Sequence, residues 1–197
     1  MGRKKKYDRD TLIEKAMELF RNHGFAGTST QMLVEALGVN RFSLYAEFGK
    51  KQELFDAALE RYNETVIERN FSPLEAPAAG VREIRALLKF FAVARQGPVS
   101  GRGCLLCNTA VEFGPADPSG AAFVQRYFKR LSQAFYQALK NAQSRGELRN
   151  EVALQGEADF LTASTLGLFV MIRAEAPPMI INNSVNMAIE HLEGLCA

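Results

Sequence analysis

The stretch from Thr28 to Lys51 decides the fold, and it reads TSTQMLVEALGVNRFSLYAEFGKK. Thr30 is a candidate N-cap for a short helix, in which Leu33 and Leu37 lie one turn apart and therefore share a face. Gly38 then supplies the backbone freedom that a tight turn between two helices needs. The first half of the stretch therefore predicts a short helix that ends in a turn.

A second short helix is predicted directly after this turn. Asn40 can cap it, and Leu44 then points back towards the first helix. The positions that remain for other contacts are Arg41, Ser43 and Tyr45. This arrangement predicts a helix-turn-helix, whose second helix lies in the major groove of DNA while the first crosses the phosphate backbone. An ordinary helical hairpin in an all-α core is the alternative, since such hairpins are common.

Length and composition narrow the class of protein. The chain has 197 residues, of which 47% are hydrophobic, so one large domain or two small ones can form a core. No apolar run approaches the length needed to span a bilayer and no signal peptide is evident, so we expect a cytoplasmic protein with no membrane partner. Three cysteines argue against a disulfide framework, and with two histidines they form no zinc pattern, so we expect no cofactor.

The charge is unevenly distributed along the chain. The net charge is only +2, but the first 51 residues carry ten Lys and Arg against six Asp and Glu, a balance of +4 that leaves −2 for the remainder. A basic N-terminal part on a mildly acidic body suits nucleic-acid binding by one end. Lys4, Lys5 and Lys6 form a basic arm that is expected to contact phosphates or the minor groove, with a solvated terminus as the alternative.

The N-terminal pattern resembles the DNA-binding domain of the TetR family of repressors. The resemblance spans about residues 6–66, with the helix-turn-helix at 29–48, and covers three helices and both turns in register. It is carried by Phe20, Gly24, Phe25, Thr28, Ser29, Gly38, Val39, Leu44, Tyr45, Phe48, Lys50, Leu54 and Phe55. This context makes the simple hairpin a poor alternative.

The residues predicted to contact double-stranded DNA come from the roles that the resemblance implies, from the basic arm and from the unusual Phe42. They are Lys4, Lys5, Lys6, Thr30, Gln31, Arg41, Phe42, Ser43, Tyr45 and Lys50. Phe42 departs from the family pattern, which has a small residue there. Its ring contacts a thymine methyl group or packs inward, and both alternatives stay open at this stage. Val34 and the pair Ala46 and Glu47 are further departures, so the base preference is left open.

The rest of the chain is predicted to be helical, which makes the fold class all-α with about nine helices in total. The segment 72–80, SPLEAPAAG, is a predicted linker between the N-terminal three-helix domain and a ligand-binding and dimerisation domain at 72–197. Pro177 and Pro178 are expected to stop the penultimate helix. The expected body helices are 81–96, 104–113, one ending near 145, 151–176 and 183–195.

The resemblance implies that this body holds a small-molecule effector in a cavity. The alternative for each aromatic residue is simply the hydrophobic core. The predicted lining residues are Phe91, Cys104, Cys107, Phe113, Phe128, Phe135, Leu161, Thr165 and Phe169.

A homodimer is expected through the last two long helices. Small residues permit close approach of two helices, and the resemblance implies an intermolecular four-helix bundle built in this way. The small residues are Ala158, Ser164, Gly167 and Ala188. Such a dimer would place two recognition helices about 34–36 Å apart and requires a palindromic operator.

The segment GRGCLLCNTAVE, from Gly101 to Glu112, is chemically unusual. Cys104 is predicted at a helix N-terminus, where free amides and the helix dipole stabilise a thiolate, and the glycines before it are expected to leave it exposed. Arg102 adds positive charge nearby. A redox- or electrophile-sensing thiol with Cys107 as its resolving partner is one hypothesis, and the segment resembles one in a TetR subgroup that responds to such reagents. Two small buried hydrophobic residues are the alternative. No function is expected for Cys196, at a terminus predicted to fray.

These features favour a ligand-responsive DNA-binding transcriptional regulator, a dimeric repressor released from its operator by a small molecule or by thiol modification. It is not expected to be an enzyme, since a thioredoxin-like thiol site needs a βαβ context that the pattern lacks. The alternative function is a small-molecule-binding or thiol-redox protein without a regulatory role on DNA.

Overall fold

The structure is a computed structural model that describes residues 7–94, 101–113 and 118–197. Its described residues form nine helices, which confirms the all-α class. The helices are α1 (Arg9–Gly27), α2 (Thr30–Leu37), α3 (Arg41–Phe48), α4 (Lys51–Tyr62, continuing to Glu75), α5 (Val81–Ala94), α6 (Leu105–Glu112), α7 (Pro118–Ser144), α8 (Leu154–Arg173) and α9 (Pro178–Gly194).

The N-terminal part packs α1 against α4 and encloses α2 and α3 at one end. Apolar residues at helical spacing on α1, among them Leu12, Ala16 and Phe20, are buried in this contact. Gly24 has φ 73° and interrupts the helical dihedral angles before α1 ends. A left-handed backbone angle favours glycine, so this residue suits the break in α1.

Helix α4 connects the N-terminal part to the body without a break. The segment Lys51–Tyr62 runs through one π-helical turn, Asn63–Ile67, into Glu68–Glu75. The linker predicted at 72–80 is therefore shorter, because Pro73 lies inside the last helical segment. Phe71 and Leu74 are buried on either side of Pro73, and this anchoring outweighs the loss of one backbone donor at the exposed proline.

The body is a bundle in which α7 packs against α8, and α9 packs against α5 and α8. Helix α8 is shorter than the predicted 151–176. Helix α9 begins at Pro178, which the sequence interpretation treated only as a stop signal. A proline is well suited to the first turn of a helix, because no intrahelical acceptor exists there for its missing N–H.

The C-terminal residues are held in place, so the predicted fraying is wrong. Leu148 and Cys196 form an isolated antiparallel bridge. The amide of Arg149 donates to the carbonyl of Leu195 at 3.1 Å, and the amide of Ala197 donates to that of Glu147 at 3.1 Å. Among the described residues, no helix is both long and apolar enough to cross a bilayer.

Candidate DNA-binding surface and its junction with the body

Two caps and one turn shape the helix-turn-helix. Ser29, rather than the predicted Thr30, is the N-cap of α2, and its hydroxyl accepts from the amide of Met32 at 3.2 Å. Gly38 adopts the left-handed conformation that ends α2, with φ 66°. The side chain of Asn40 then accepts from the amide of Ser43 at 2.8 Å and caps α3, as predicted.

Helix α3 has one buried and one exposed face. Leu44 and Phe48 are buried against the neighbouring helices. Phe42 is 83% exposed, so of the two alternatives for this ring, inward packing is wrong. Arg41 is also exposed, and Ser43 is half-buried.

Thr30 and Tyr45 join the two helices on the exposed side. The Thr30 Oγ1 lies 3.2 Å from the Tyr45 hydroxyl oxygen, within hydrogen-bond distance. The Arg41 guanidinium carbon lies 5.5 Å from the centroid of the Tyr45 ring. The hydrogen bond with Thr30 and the neighbouring Arg41 lower the pKa of the Tyr45 hydroxyl below its ordinary value. The predicted contact residues Thr30, Arg41 and Tyr45 therefore form one connected group.

Gln31 and the two lysines of the Gly49–Lys51 turn differ in whether their side chains already form hydrogen bonds within the protein. Gln31 donates to the carboxylate of Glu35 at 2.6 Å, so its amide already has a partner on its own helix. Lys50 is exposed. Lys51 is held within the protein, because its Nζ donates to the carbonyl of Phe25 at 2.8 Å and to that of Thr28 at 3.0 Å. Lys4, Lys5 and Lys6 lie outside the described residues.

Two charged side chains of the body form hydrogen bonds with backbone groups near the end of α1. The carboxylate of Glu112, at the end of α6, accepts from the amides of Phe25 at 2.8 Å and Ala26 at 2.6 Å. Arg173 is the last residue of α8, and its guanidinium donates to the carbonyls of Arg21 at 3.1 Å and Asn22 at 2.8 Å. We call Glu112 and Arg173 the latch, because both hold backbone groups of the segment that leads into α2.

Arg21 is a second link between α1 and the body. It is buried, and its Nη2 and Nε donate to the carbonyl of Gly103 at 2.9 and 3.2 Å. Its guanidinium carbon also lies 5.7 Å from the centroid of the Tyr62 ring. The cation is thus neutralised by a carbonyl dipole, an aromatic face and a 3.8 Å ion pair with Glu18.

Phe113 belongs to this junction. Its ring centroid lies 5.3 Å from that of Phe25 and 5.6 Å from that of Phe55. The prediction that Phe113 lines an effector cavity inside the body therefore does not fit its position, because its ring neighbours belong to the N-terminal part.

The other predicted lining residues are mostly core. Phe91 and Phe169 meet edge to face at 4.8 Å, and Phe135 and Leu161 are fully buried. Phe128 is half-buried, with its ring 6.0 Å from that of Tyr127. Thr165 is also fully buried, and its hydroxyl has no hydrogen-bond partner within the described part of the chain. The structure thus brings Phe91 and Phe169 together, whereas the ring contact of Phe128 is with Tyr127.

Cys104 is the N-cap of α6, with the extended φ of −101°, and it is completely buried. The exposure expected from the flanking glycines is therefore wrong, and Arg102 pairs with Glu18 at 2.8 Å instead of facing the thiol. Cys107 is buried three positions later. This places one sulfur at the N-cap and the other on the first turn of the same helix.

The surroundings of Cys104 are polar although they are buried. Its Sγ lies 3.8 Å from the hydroxyl of Tyr127. Burial by itself raises the pKa of this thiol, but hydrogen bonds from the side chain and amide of Cys107 and from the hydroxyls of Tyr62 and Tyr127 lower it to about 6. The hydrogen bond to Cys104 and, to a smaller extent, burial raise the pKa of Cys107 far above its ordinary value. Within the pair, the surroundings therefore favour the thiolate form at Cys104 rather than at Cys107.

Helices α8 and α9 expose an apolar face. Phe160 is 45% and Met187 62% exposed, and both line one groove on this face. The same groove includes Ser164, Gly167, Leu168, Met171, Ser184, Ala188 and His191. Of the small residues predicted to allow close approach, Ser164 and Gly167 are half-buried, but Ala158 and Ala188 are buried in the core of the same chain.

Sequence reasoning missed four residues that the structure makes prominent, namely Arg21, Tyr62, Glu112 and Arg173. Their partners lie far away in the chain; Arg173, for instance, contacts Asn22 across 151 positions. No local spacing or motif signals such a contact. For the site around Cys104, the sequence carried a partial signal, namely the Cys-Leu-Leu-Cys spacing of the two cysteines.

Two family models match the chain. The model described as bacterial regulatory proteins, tetR family, matches residues 12–58, and the tetracyclin repressor-like C-terminal domain matches residues 80–187. The chain is 33% identical over 198 residues to the HTH-type transcriptional regulator YezE of Bacillus subtilis, covering 98% of this chain and 100% of the relative. It is 32% identical to the HTH-type transcriptional repressor ComR of Escherichia coli, covering 89% of this chain and 84% of the relative.

A solved structure shares the fold. It is a cysteine mutant of the TetR family transcriptional regulator CifR complexed with a 26bp double-strand operator DNA. The TM-score is 0.83 at 24% identity, over 95% of this chain and 98% of that chain. At this level of identity the likeness concerns the fold.

Proposed function

The chain belongs to the TetR family of bacterial regulatory proteins, and we propose that it is a dimeric transcriptional repressor that binds a palindromic DNA operator. The observation that carries this proposal is the exposed face of α3, where Arg41, Phe42 and Tyr45 project beside Thr30 of α2. A short helix whose buried face is fully apolar and whose outer face is cationic and aromatic has the form of a recognition helix. The repressor ComR is a relative over most of its length, which supports the direction of regulation.

Each exposed residue has a role that follows from its chemistry. Arg41 reaches a guanine edge or a phosphate, because its fixed guanidinium donors suit both. Phe42, with its ring 83% exposed, contacts a thymine methyl group in the major groove. Lys50 contacts a phosphate, as do Tyr45 and the N-terminal arm of Lys4, Lys5 and Lys6. Gln31 and Ser43 are further contacts, with Gln31 first releasing Glu35.

The dimer forms through the apolar face of α8 and α9. Exposed side chains such as Phe160, Met187 and Val170 need cover, and a face shared by two copies provides it symmetrically. A twofold axis through this face relates two helix-turn-helix units, so the operator contains two half-sites about one DNA turn, roughly 34–36 Å, apart.

An effector that acts on the body releases the DNA. A small molecule that binds one conformation of the dimer better shifts the population away from the DNA-competent state. Phe91, Phe169 and the unpaired hydroxyl of Thr165 mark the part of the body where such a ligand is proposed to bind. Its hydroxyl is the polar group that a ligand acceptor or donor there would satisfy.

Modification of Cys104 is a second route to release, favoured by the pairing of its sulfur with Cys107. With hydrogen peroxide as the oxidant, the Cys104 thiolate attacks one peroxide oxygen and the O–O bond breaks. A sulfenic acid forms, and the other oxygen leaves as hydroxide, which takes up a proton from solvent to become water. Cys107 then attacks that sulfur, its proton leaves with the second oxygen as water, and a disulfide forms. Two electrons pass from the two thiols to the peroxide. The complete burial of Cys104 favours small oxidants over bulky electrophiles.

Selection of binding sites from a pool of random duplexes tests the proposal directly. We expect the purified protein to enrich a palindrome, and the DNA upstream of its own gene to contain a related sequence. Binding should weaken steeply with salt, because phosphate contacts release counterions. Failure to enrich any sequence would favour the alternative of a small-molecule-binding or thiol-redox protein without a regulatory role on DNA.

The thiol route has its own test. We expect hydrogen peroxide or hypochlorite to release the selected operator from the wild type and to leave the Cys104→Ser variant bound. Equal release from both proteins would eliminate this route and leave the proposed repressor function intact.

We propose that the protein has no catalytic activity of its own, and that it acts in the cytoplasm, where the DNA it binds is located.

A further inference from the structure

We propose that the latch, Glu112 and Arg173, positions the two helix-turn-helix units of the dimer for simultaneous binding to both half-sites of the operator. This inference rests on the proposed function. It concerns two residues of the body that form hydrogen bonds with backbone groups of the N-terminal part and that were not predicted to contact DNA.

Glu112 holds the segment just before α2. Its carboxylate accepts from two successive amides, those of Phe25 and Ala26, at 2.8 and 2.6 Å. Charge-assisted hydrogen bonds of this kind are among the stronger ones in proteins. Gly24 makes the approach possible, because a Cβ at this position would lie 2.8 Å from Glu112 Oε2. The carboxylate therefore fixes where the chain leaves α1 for α2.

Arg173 holds the same segment through its carbonyl groups. Its guanidinium donates to the carbonyls of Arg21 and Asn22, which end the regular part of α1, and at 3.0 Å to that of Gly101. A cation at the C-terminal end of a helix is also favoured by the helix dipole. Glu112 thus binds amides and Arg173 binds carbonyls within six consecutive residues, 21–26.

Lys51 completes the arrangement from inside the N-terminal part. Its Nζ binds the carbonyls of Phe25 and Thr28, the second of which immediately precedes the N-cap of α2. The orientation that the latch imposes on Phe25 is therefore passed on to the start of α2 and to α4. The latch acts on a segment that is rigidly joined to the DNA-binding surface.

The position of Arg173 links the latch to the dimer axis. Arg173 is the final residue of α8, and α8 also carries Phe160 in the exposed apolar groove. The same helix therefore runs from the proposed dimer interface to the end of α1. Any change in how α8 sits against its partner copy reaches Asn22 through a single 2.8 Å hydrogen bond.

The latch matters for a dimer because binding of the second half-site is intramolecular. The affinity of this second step is set by the effective concentration of the second unit at its half-site, which is highest when the spacing of the two units matches the operator. Units that swing freely must be ordered on binding, and this costs affinity. Loss of the latch should therefore weaken binding to the palindrome and leave the contacts with one half-site unchanged.

The test uses the purified dimer and two duplexes, the selected palindrome and the same duplex with one half-site scrambled. We expect Glu112→Gln and Arg173→Lys each to weaken binding to the palindrome by about tenfold, with less than about twofold change on the single half-site. Both variants keep the size of the side chain. Glutamine presents an NH₂ group to one of the two amides, and lysine cannot reach all three carbonyls.

Matched controls are Glu151→Gln and Arg149→Lys, an exposed ion pair of the same residue types at 3.5 Å, which should leave both affinities unchanged. Thermal unfolding of each variant confirms that it is folded, and hydrogen exchange at the amides of Phe25 and Ala26 should accelerate in Glu112→Gln only. A wild type that does not distinguish palindrome from random duplex overturns the proposed function. If the wild type prefers the palindrome and the variants keep its ratio of palindrome affinity to half-site affinity, the proposed function stands and the role of the latch is overturned. An equal loss of affinity on both duplexes overturns the role of the latch in the same way.

Discussion

The hydroxyl of Tyr45 on α3 lies 3.2 Å from the hydroxyl of Thr30, the first residue of α2. The two oxygens join the helices of the helix-turn-helix on its exposed side, and either can present its remaining lone pairs or proton to a phosphate. Tyr45 is partly exposed, while Leu33 and Leu44 below the pair are buried. The hydroxyl pair thus sets the spacing of α2 and α3 at the surface, above a contact made of leucines.

Replacing Tyr45 with phenylalanine should weaken operator binding severalfold and leave the fold intact. The ring keeps its place beside Arg41, but the bond to Thr30 and the phosphate contact are lost. Fluorescence anisotropy titrations of Tyr45→Phe, Thr30→Ala and the double variant measure the effect. We expect the double variant to lose less than the sum of the single losses, because both act through one hydrogen bond. Simple additivity would contradict a joint role.

Lys50 and Lys51 should differ although they are neighbours. Lys50 is exposed, so Lys50→Ala should weaken binding to all duplexes alike and reduce the slope of log affinity against log salt by about one. Lys51→Ala leaves the carbonyls of Phe25 and Thr28 without their donor and should lower the free energy of unfolding by about 1–3 kcal/mol. Salt titrations and urea unfolding separate the two effects. A stability loss confined to Lys50→Ala would reverse the assignment.

Met187→Glu should convert the dimer into a monomer. Met187 is 62% exposed in the groove between α8 and α9, and a glutamate there would place two like charges near the twofold axis without partners. Analytical ultracentrifugation measures the change in mass. The control is Val93→Glu, which alters a side chain of similar exposure on α5 and should leave the dimer intact. Dissociation by both substitutions, or by neither, would argue against this interface.

The reduced protein should become more stable as the pH rises from about 6 to 9. The folded state holds the pKa of Cys104 at about 6, below the ordinary 9.0, so within this window the unfolded chain binds more protons than the folded one. The stabilisation is complete above the unfolded pKa and is lost as the pH falls through the folded one. Urea unfolding at several pH values, compared with Cys104→Ser, measures it. The ultraviolet absorbance of the thiolate should titrate near pH 6 in the wild type and vanish in the variant.

The predicted helix-turn-helix succeeded because its determinants are local. The buried faces of α2 and α3 follow from leucine spacing, and the turn follows from Gly38, whose left-handed φ of 66° favours glycine. Ser29 and Thr30 are adjacent and have similar capping chemistry. The sequence predicts Thr30 as the cap, but the structure has Ser29 in that position. Pro73 and Pro178 were misjudged for a related reason: whether a proline ends, interrupts or begins a helix depends on which neighbouring residues the core holds.

The predicted roles of single side chains depended much more on the tertiary structure. Lys51 is the sequence neighbour of the predicted phosphate ligand Lys50, yet the fold brings two carbonyls within reach of its amine. Phe113 looks like a cavity residue of the body, yet it packs against Phe25 and Phe55. In each case the partner lies dozens of residues away, and the sequence around the side chain carries no record of it.

By itself, the sequence determined the all-helical architecture, the helix-turn-helix and the position of Cys104 at the start of a helix, because periodicity, caps and left-handed glycines act within a few residues. The tertiary structure alone decided that Cys104 is buried among hydroxyl groups, that Phe42 faces outward, and that Glu112 and Arg173 grip the end of α1. The contacts behind these features join groups that are far apart in the chain, from 23 residues for Cys104 and Tyr127 to 152 for Arg173 and Arg21, and the physics that selects them is the burial and hydrogen bonding of whole surfaces.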